Sequence, residues 1–142
     1  MKTRFSSLVH VKKNIMQKSE RLLQKANANL HNAKKALIES LAFLQDIEPP
    51  THGKIADFLA NRALLDSQRA IIKHNEEWLT YTKTEVTQAK EQLKCDMIEY
   101  EKYKYLEYEE IQKALKQIKI KEAKDLDEIA LMTYTNKNKE AS

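Results

Sequence analysis

The chain has 142 residues, of which 32% are charged and 42% hydrophobic, with one glycine and two prolines. This composition is typical of long helices or coiled coils rather than of a globular domain, and the length favours one domain. The formal charge of +4 is concentrated in residues 1–50, which hold nine Lys/Arg against four Asp/Glu. One cysteine excludes an internal disulfide, and no stretch approaches the roughly 20 apolar residues of a membrane span, so we expect a cytoplasmic protein.

A first helix is predicted over residues 3–48. Seven-residue steps from Val9 to Leu44 meet an apolar residue at six of six positions. The companion heptad position is mostly small in the middle and holds Phe5, Lys12, Ser19, Ala26, Ala33, Ser40 and Ile47. An apolar repeat of this length indicates a coiled coil, in which the small residues let a partner helix come close.

The corner is predicted at residues 49–53, which contain both prolines and the only glycine, Pro49, Pro50 and Gly53. Proline lacks an N–H and clashes with the preceding helical turn, whereas glycine tolerates positive φ. The sequence offers no comparable break elsewhere. The chain is therefore expected to fold back once, here.

A second helix is predicted over residues 54–134, followed by a frayed tail at 135–142. Its apolar residues recur every seven positions, at Phe58, Leu65, Ile72, Leu79, Val86 and Leu93. The shared 3.5-residue period favours a left-handed supercoil. Asn61, Gln68 and Asn75 occupy the other seven-residue position, and we expect them to set the register or to lie at the edge of the seam.

The predicted fold class is all-α, an antiparallel two-helix coiled-coil hairpin with a longer, overhanging C-terminal helix. Folding back at the corner is expected to pair the helices as far as about residue 98, so that the stretch to Tyr134 projects roughly 55 Å further. The apolar stripe continues along it, through residues such as Ile111, Leu115, Ile118, Leu126 and Ile129. A stripe with no intramolecular partner requires an outside partner or a second copy of the chain.

The residue types and their spacing give little support for an enzyme active site. One glycine leaves no phosphate-cradling loop, and the four histidines never occur at i, i+4 spacing. Cys95 is expected to be an exposed, inert thiol. We therefore predict no enzyme activity, no cofactor and no metal site.

Four of the six tyrosines lie between Glu99 and Ile111: Tyr100, Tyr103, Tyr105 and Tyr108. They spread over about 200° of a helix, too far for one neighbour to bury all four. Tyr100 and Tyr108 are expected in the core. Tyr103 and Tyr105 lie at the flanks of the stripe and are either interface anchors or ordinary amphipathic flank residues.

Both ends of the chain carry a family resemblance. The start reads Phe5-x-x-Leu8-x-x-Val11-Lys12, followed by Glu20-x-x-Leu23-x-x-Ala26-x-x-x-Leu30-x-x-Ala33. The end reads Glu122-x-x-x-x-Leu126-Asp127-Glu128-Ile129-Ala130-x-x-x-Tyr134. With its single corner and longer second helix, the chain resembles the FliJ family of flagellar type III export proteins, which is similar to the central stalk (γ) subunit of rotary ATPases.

The resemblance implies a non-enzymatic stalk inside the hexameric export ATPase, in contact with the membrane export gate and with export chaperones. It also implies a place in the cytoplasm, peripherally associated with the export apparatus of the inner membrane. The candidate partner-binding residues are Tyr103, Tyr105, Ile111, Leu115, Ile118, Glu122, Leu126, Asp127, Glu128 and Ile129. A monomer or weak dimer without nucleic acid is expected.

The alternative is a cytoplasmic coiled-coil scaffold or a nucleic-acid-associated protein. In that case the basic residues of the first helix would bind the phosphates: Lys2, Arg4, Lys12, Lys13, Lys34 and Lys35.

Overall fold

The computed structural model describes residues 2–141, apart from the side chain of Ala141. It consists of two long antiparallel helices, α1 (Ser6–Asp46) and α2 (Ile55–Ala141), and contains no strand within the described residues. Residues 14–97 form one compact unit, and residues 2–13 with 98–141 form another. The all-α hairpin predicted from the sequence is confirmed.

The start of α1 is capped by short polar side chains. The Thr3 hydroxyl accepts the N–H of Phe5 at 3.1 Å, and Ser6 Oγ accepts the N–H of Thr3 at 2.9 Å. These bonds satisfy backbone groups that the first helical turn leaves without intrahelical partners.

The conformation of the corner depends on its glycine and on one acidic side chain. Gly53 has φ = +139°, and a Cβ built at that position would lie 2.7 Å from Asp57 Oδ2. The same carboxylate accepts the N–H of Lys54 at 3.1 Å and so caps the start of α2. The backbone conformation at residue 53 therefore favours glycine, and a larger residue there would also displace the Asp57 carboxylate from its capping position.

Small residues of α1 form the best-buried layer of the 14–97 unit. Ser19, Ala26, Ala33 and Ser40 are buried at seven-residue intervals, and Ala33 is fully inaccessible to solvent. Facing them, α2 buries Ile72 and Val86 together with Gln68 and Thr82. The small residues predicted at this heptad position are therefore buried between the helices.

The first turns of α2 do not belong to the seam. All residues from Thr51 to Ala60 are exposed, including Phe58, and the amide of Asn61 donates to the carbonyl of Glu48 at 3.2 Å. Phe58 was predicted in the seam, and that prediction is wrong because α1 ends before it can face this turn.

The second helix also extends further than predicted. It continues to Ala141 rather than ending near Tyr134. The last residues contain neither glycine nor proline, the Thr135 hydroxyl donates to the carbonyl of Leu131 at 2.9 Å, and Lys139 lies in the final turn. A cation there is favoured by the partial negative charge of a helix C-terminus.

Candidate partner-binding surface

In the unit formed by residues 2–13 and 98–141, the start of the chain contacts α2 through cations. Lys12 Nζ lies 3.7 Å from a Glu99 carboxylate oxygen and 5.6 Å from the centre of the Tyr103 ring. Arg4 donates to the Glu110 carboxylate at 2.9 Å. Pairing therefore reaches Glu110, not residue 98 as expected.

The four clustered tyrosines divide into two covered and two exposed rings. Tyr100 and Tyr103 are half-buried, whereas Tyr105 and Tyr108 are about 60% exposed. Tyr108 was expected in the core, and that expectation is wrong. It follows Tyr103 by five residues and so lies about 140° around the helix from it. Of the two predicted interface tyrosines, Tyr105 is on the open surface and Tyr103 contacts Lys12.

The phenol of Tyr105 also interacts with a neighbour on its own helix. A side-chain hydrogen bond to Glu109, followed by the repulsive charge of that carboxylate, raises the pKa of Tyr105 above its usual value. The hydroxyl is thereby kept protonated and oriented toward Glu109 on the exposed surface.

The continuation of α2 has no covering partner within the described chain. Every residue from Leu115 to Glu140 is exposed, whereas Ile111 and Ala114 are half-buried. The exposed stretch is therefore shorter than predicted and begins at Leu115. It includes seven of the ten candidate residues, namely Leu115, Ile118, Glu122, Leu126, Asp127, Glu128 and Ile129.

The apolar candidates of this stretch share one face of the helix. Ile111, Leu115, Ile118, Leu126 and Ile129 follow one another at steps of four, three, eight and three residues. This spacing confines all five to an arc of about 80°. We call these five residues the apolar stripe.

Acidic residues lie within and beside the apolar stripe. Glu122 falls inside the same arc, and Asp125 lies close to its edge. Asp127 and Glu128 face away from the apolar stripe, one on each side of the helix. A partner that covers the stripe must therefore offer apolar contacts together with donors or cations for these carboxylates.

Two further exposed residues extend this surface and were not among the predicted site residues. Tyr108 lies next to Ile111 around the helix, and Met132, 65% exposed, follows Ile129 by three residues. The same three- and four-residue spacing could have identified both from the sequence.

A second exposed apolar band lies in the 14–97 unit. Leu64, Ile71 and Trp78 recur every seven residues on α2, each at least one-third exposed. They flank the buried seam rather than lying in it.

Other kinds of site were also sought within the described residues. No group of three or more His, Cys, Asp or Glu residues is arranged to hold a metal ion. Cys95 is exposed, as predicted. Neither helix offers, over residues 2–141, an apolar stretch of the length that a membrane span requires.

Comparison with known proteins gives one match. The model of the family described as flagellar FliJ protein matches residues 1–139. No curated protein and no solved structure is significantly similar to the chain.

Proposed function

Because the chain belongs to the FliJ family of flagellar proteins, we propose that it is a stalk that enters the hexameric export ATPase. Members of the family are non-catalytic components of flagellar protein export, so the chain is an export-related protein. Its stalk role and its individual contacts are the proposal.

The observation that carries the proposal is the exposed stretch Leu115–Glu140. It is helical, it has no covering partner among the described residues, and it carries the apolar stripe. An apolar stripe with charged neighbours is suited to docking against a protein, because the charges orient the encounter while the apolar residues supply affinity.

The second apolar band offers a separate surface for another partner. Family membership makes the membrane export gate and the export chaperones the expected further contacts, and Leu64, Ile71 and Trp78 are accessible to either. We place the protein in the cytoplasm, held at the inner-membrane export apparatus by such contacts.

The nucleic-acid alternative is less well supported. Three of its six basic residues have ion pairs within the protein, and two of these pairs, Arg4 with Glu110 and Lys12 with Glu99, join the two helices. Lys35 lies 4.0 Å from Glu39. Salt-sensitive binding of the purified chain to DNA or RNA would favour this alternative over the stalk.

The test compares two pairs of exposed residues on the same helix. Leu126 and Ile129 are 66% and 59% exposed in the apolar stripe, and Ile120 and Leu131 are exposed on the opposite face. Full burial of such a side chain contributes about 1.5–3 kcal/mol. About two-thirds of each stripe side chain is still exposed, so its burial by a partner would contribute about 1–2 kcal/mol to binding.

Leu126→Ala/Ile129→Ala should therefore weaken binding to the export ATPase by about 2–4 kcal/mol, or about 30- to 700-fold. Ile120→Ala/Leu131→Ala should leave the dissociation constant within about threefold, since a change of that size is under 1 kcal/mol. Titration calorimetry with the cognate ATPase measures both. Equal losses in the two variants would contradict the proposed docking face.

A second copy of the chain is the rival partner for the stripe. Sedimentation equilibrium of the intact protein separates the two readings. If the native chain forms a concentration-dependent dimer that Leu126→Ala/Ile129→Ala abolishes, the stripe is a dimer interface. If the native chain and the variant are both monomers, the stripe binds an outside partner.

A further inference from the structure

The seam of the 14–97 unit contains polar side chains where a coiled coil usually places apolar ones. On α2, Gln68 and Thr82 are buried and Asn75 is half-buried, and on α1 Ser19 and Ser40 are buried. No buried side-chain nitrogen or oxygen in the described chain lacks a hydrogen-bond partner. These polar residues are thus fully accommodated in the observed alignment.

The first polar cluster joins α2 to the backbone of α1. The amide of Gln68 donates to the carbonyl of Ser40 at 2.8 Å. The amide of Asn75 donates to the carbonyl of Ala36 at 3.3 Å and to Ser40 Oγ at 3.1 Å, and Ser40 Oγ donates to the carbonyl of Leu37 at 2.9 Å. Because Ser40 is small, both amides can reach α1.

The second cluster lies further along the same seam. Ser19 Oγ donates to Asp96 Oδ2, and the other oxygen of that carboxylate accepts the Gln92 amide at 3.0 Å. Between the clusters the α1 layer is Ala26 and Ala33, which have no polar side-chain atom.

The apolar residues alone do not define one alignment. Leu23, Leu30, Leu37 and Leu44 repeat every seven residues, as do Leu65, Ile72, Leu79, Val86 and Leu93 on α2. A slip of one helix by seven residues would still bring aliphatic side chains together. The exposed turns from Thr51 to Ala60 lie outside the seam and could be drawn in or out.

The polar clusters do distinguish the alignments. After a slip of seven residues, Asn75 would face Ala33 or Ile47 instead of Ser40. Asp96 would lose Ser19 and face Ala26 in the slip that brings Asn75 to Ile47, and it would face Lys12 in the slip that brings Asn75 to Ala33. Even at these half-buried positions, an amide or carboxylate that loses its side-chain partner is unfavourable.

We propose that the Gln68–Asn75–Ser40 and Ser19–Asp96 clusters are a register lock, which selects one alignment of α1 and α2 at the expense of seam stability. Buried polar residues fix register in coiled coils in the same way. The proposal does not depend on the identity of any partner.

The test measures the alignment directly in the full chain. In a Cys95→Ser background, spin labels are attached to Lys25→Cys on α1 and Ser67→Cys on α2, both exposed positions. These two sites are offset along the helices, so a slip of one heptad changes their separation by about 10 Å. Double electron–electron resonance gives the distance distribution.

The variant Gln68→Leu/Asn75→Leu/Asp96→Leu removes the donors and the acceptor carboxylate but keeps apolar bulk. The native chain should give one distance, and the variant a second population displaced by about 10 Å. Its thermal midpoint should equal or exceed that of the native chain, because apolar residues replace buried polar ones. Gln24→Leu/Asn27→Leu, at exposed positions of α1, is the matched control and should keep the single distance.

Two results would overturn the proposal. A single unchanged distance in the triple variant would mean that the apolar seam and the corner fix the register without the polar clusters. A large fall in the thermal midpoint, with loss of helical circular dichroism, would mean that the clusters stabilise the hairpin instead of specifying it.

Discussion

Substitution of Leu37 by Asp tests the seam most sharply, because the next residue along the helix supplies the control. Leu37 is half-buried, whereas Ile38 is 67% exposed. Loss of the half-buried leucine contacts costs about 1–1.5 kcal/mol. The lower helix propensity of aspartate adds about 0.5 kcal/mol, and partial desolvation of its carboxylate adds about 1 kcal/mol.

The free energy of unfolding should therefore fall by about 3 kcal/mol in Leu37→Asp. In Ile38→Asp the two residues have similar helix propensities and the position is mostly exposed, so the loss should stay below about 0.5 kcal/mol. Urea unfolding followed by circular dichroism at 222 nm gives both values. Equal losses in the two variants would refute the assignment of the buried face of α1.

Two other variants test the packing around Ala33 and the titration of Tyr105. Ala33→Leu forces a large side chain into a fully buried position and should destabilise the protein by about 1–3 kcal/mol. Ala28→Leu, at an exposed position, should not destabilise it. Thermal melting of both variants measures the difference. Glu109→Gln removes the carboxylate that raises the pKa of Tyr105, so that pKa should fall and the phenolate should form at lower pH. Carbon-13 NMR of the labelled ring follows the titration, and an unchanged pKa would contradict the hydrogen bond to Glu109.

The sequence predicted the elements of the fold because its signals there are local. Pro49, Pro50 and Gly53 mark the only strong break, and Gly53 indeed adopts the positive φ that favours glycine. The heptad pattern of α1 likewise predicted the small layer of Ala26 and Ala33, which is buried. Each of these features is decided within one or two helical turns.

The alignment of the helices could not be predicted in the same way. Phe58 continues the heptad of α2 without interruption, and nothing local indicates that α1 ends before facing it. Contacts such as Lys12 with Tyr103 and Arg4 with Glu110 depend on which residues of the two helices face each other, and the seven-residue repeat leaves that open. In the unit formed by residues 2–13 and 98–141, pairing reaches Glu110 and the exposed stretch begins at Leu115, which redefines the candidate surface.

Binding of the cognate hexameric export ATPase to the full chain, and to a chain that ends at Lys116, tests the stalk proposal most directly. Residues beyond Lys116 are exposed, so the shortened chain should keep its thermal midpoint. The full chain should bind in calorimetry and in pull-down, and the shortened chain should bind at least about 30-fold more weakly, which corresponds to about 2 kcal/mol. No binding by the full chain, or equal binding by both, would contradict the assignment of the ATPase contact to the exposed end of α2.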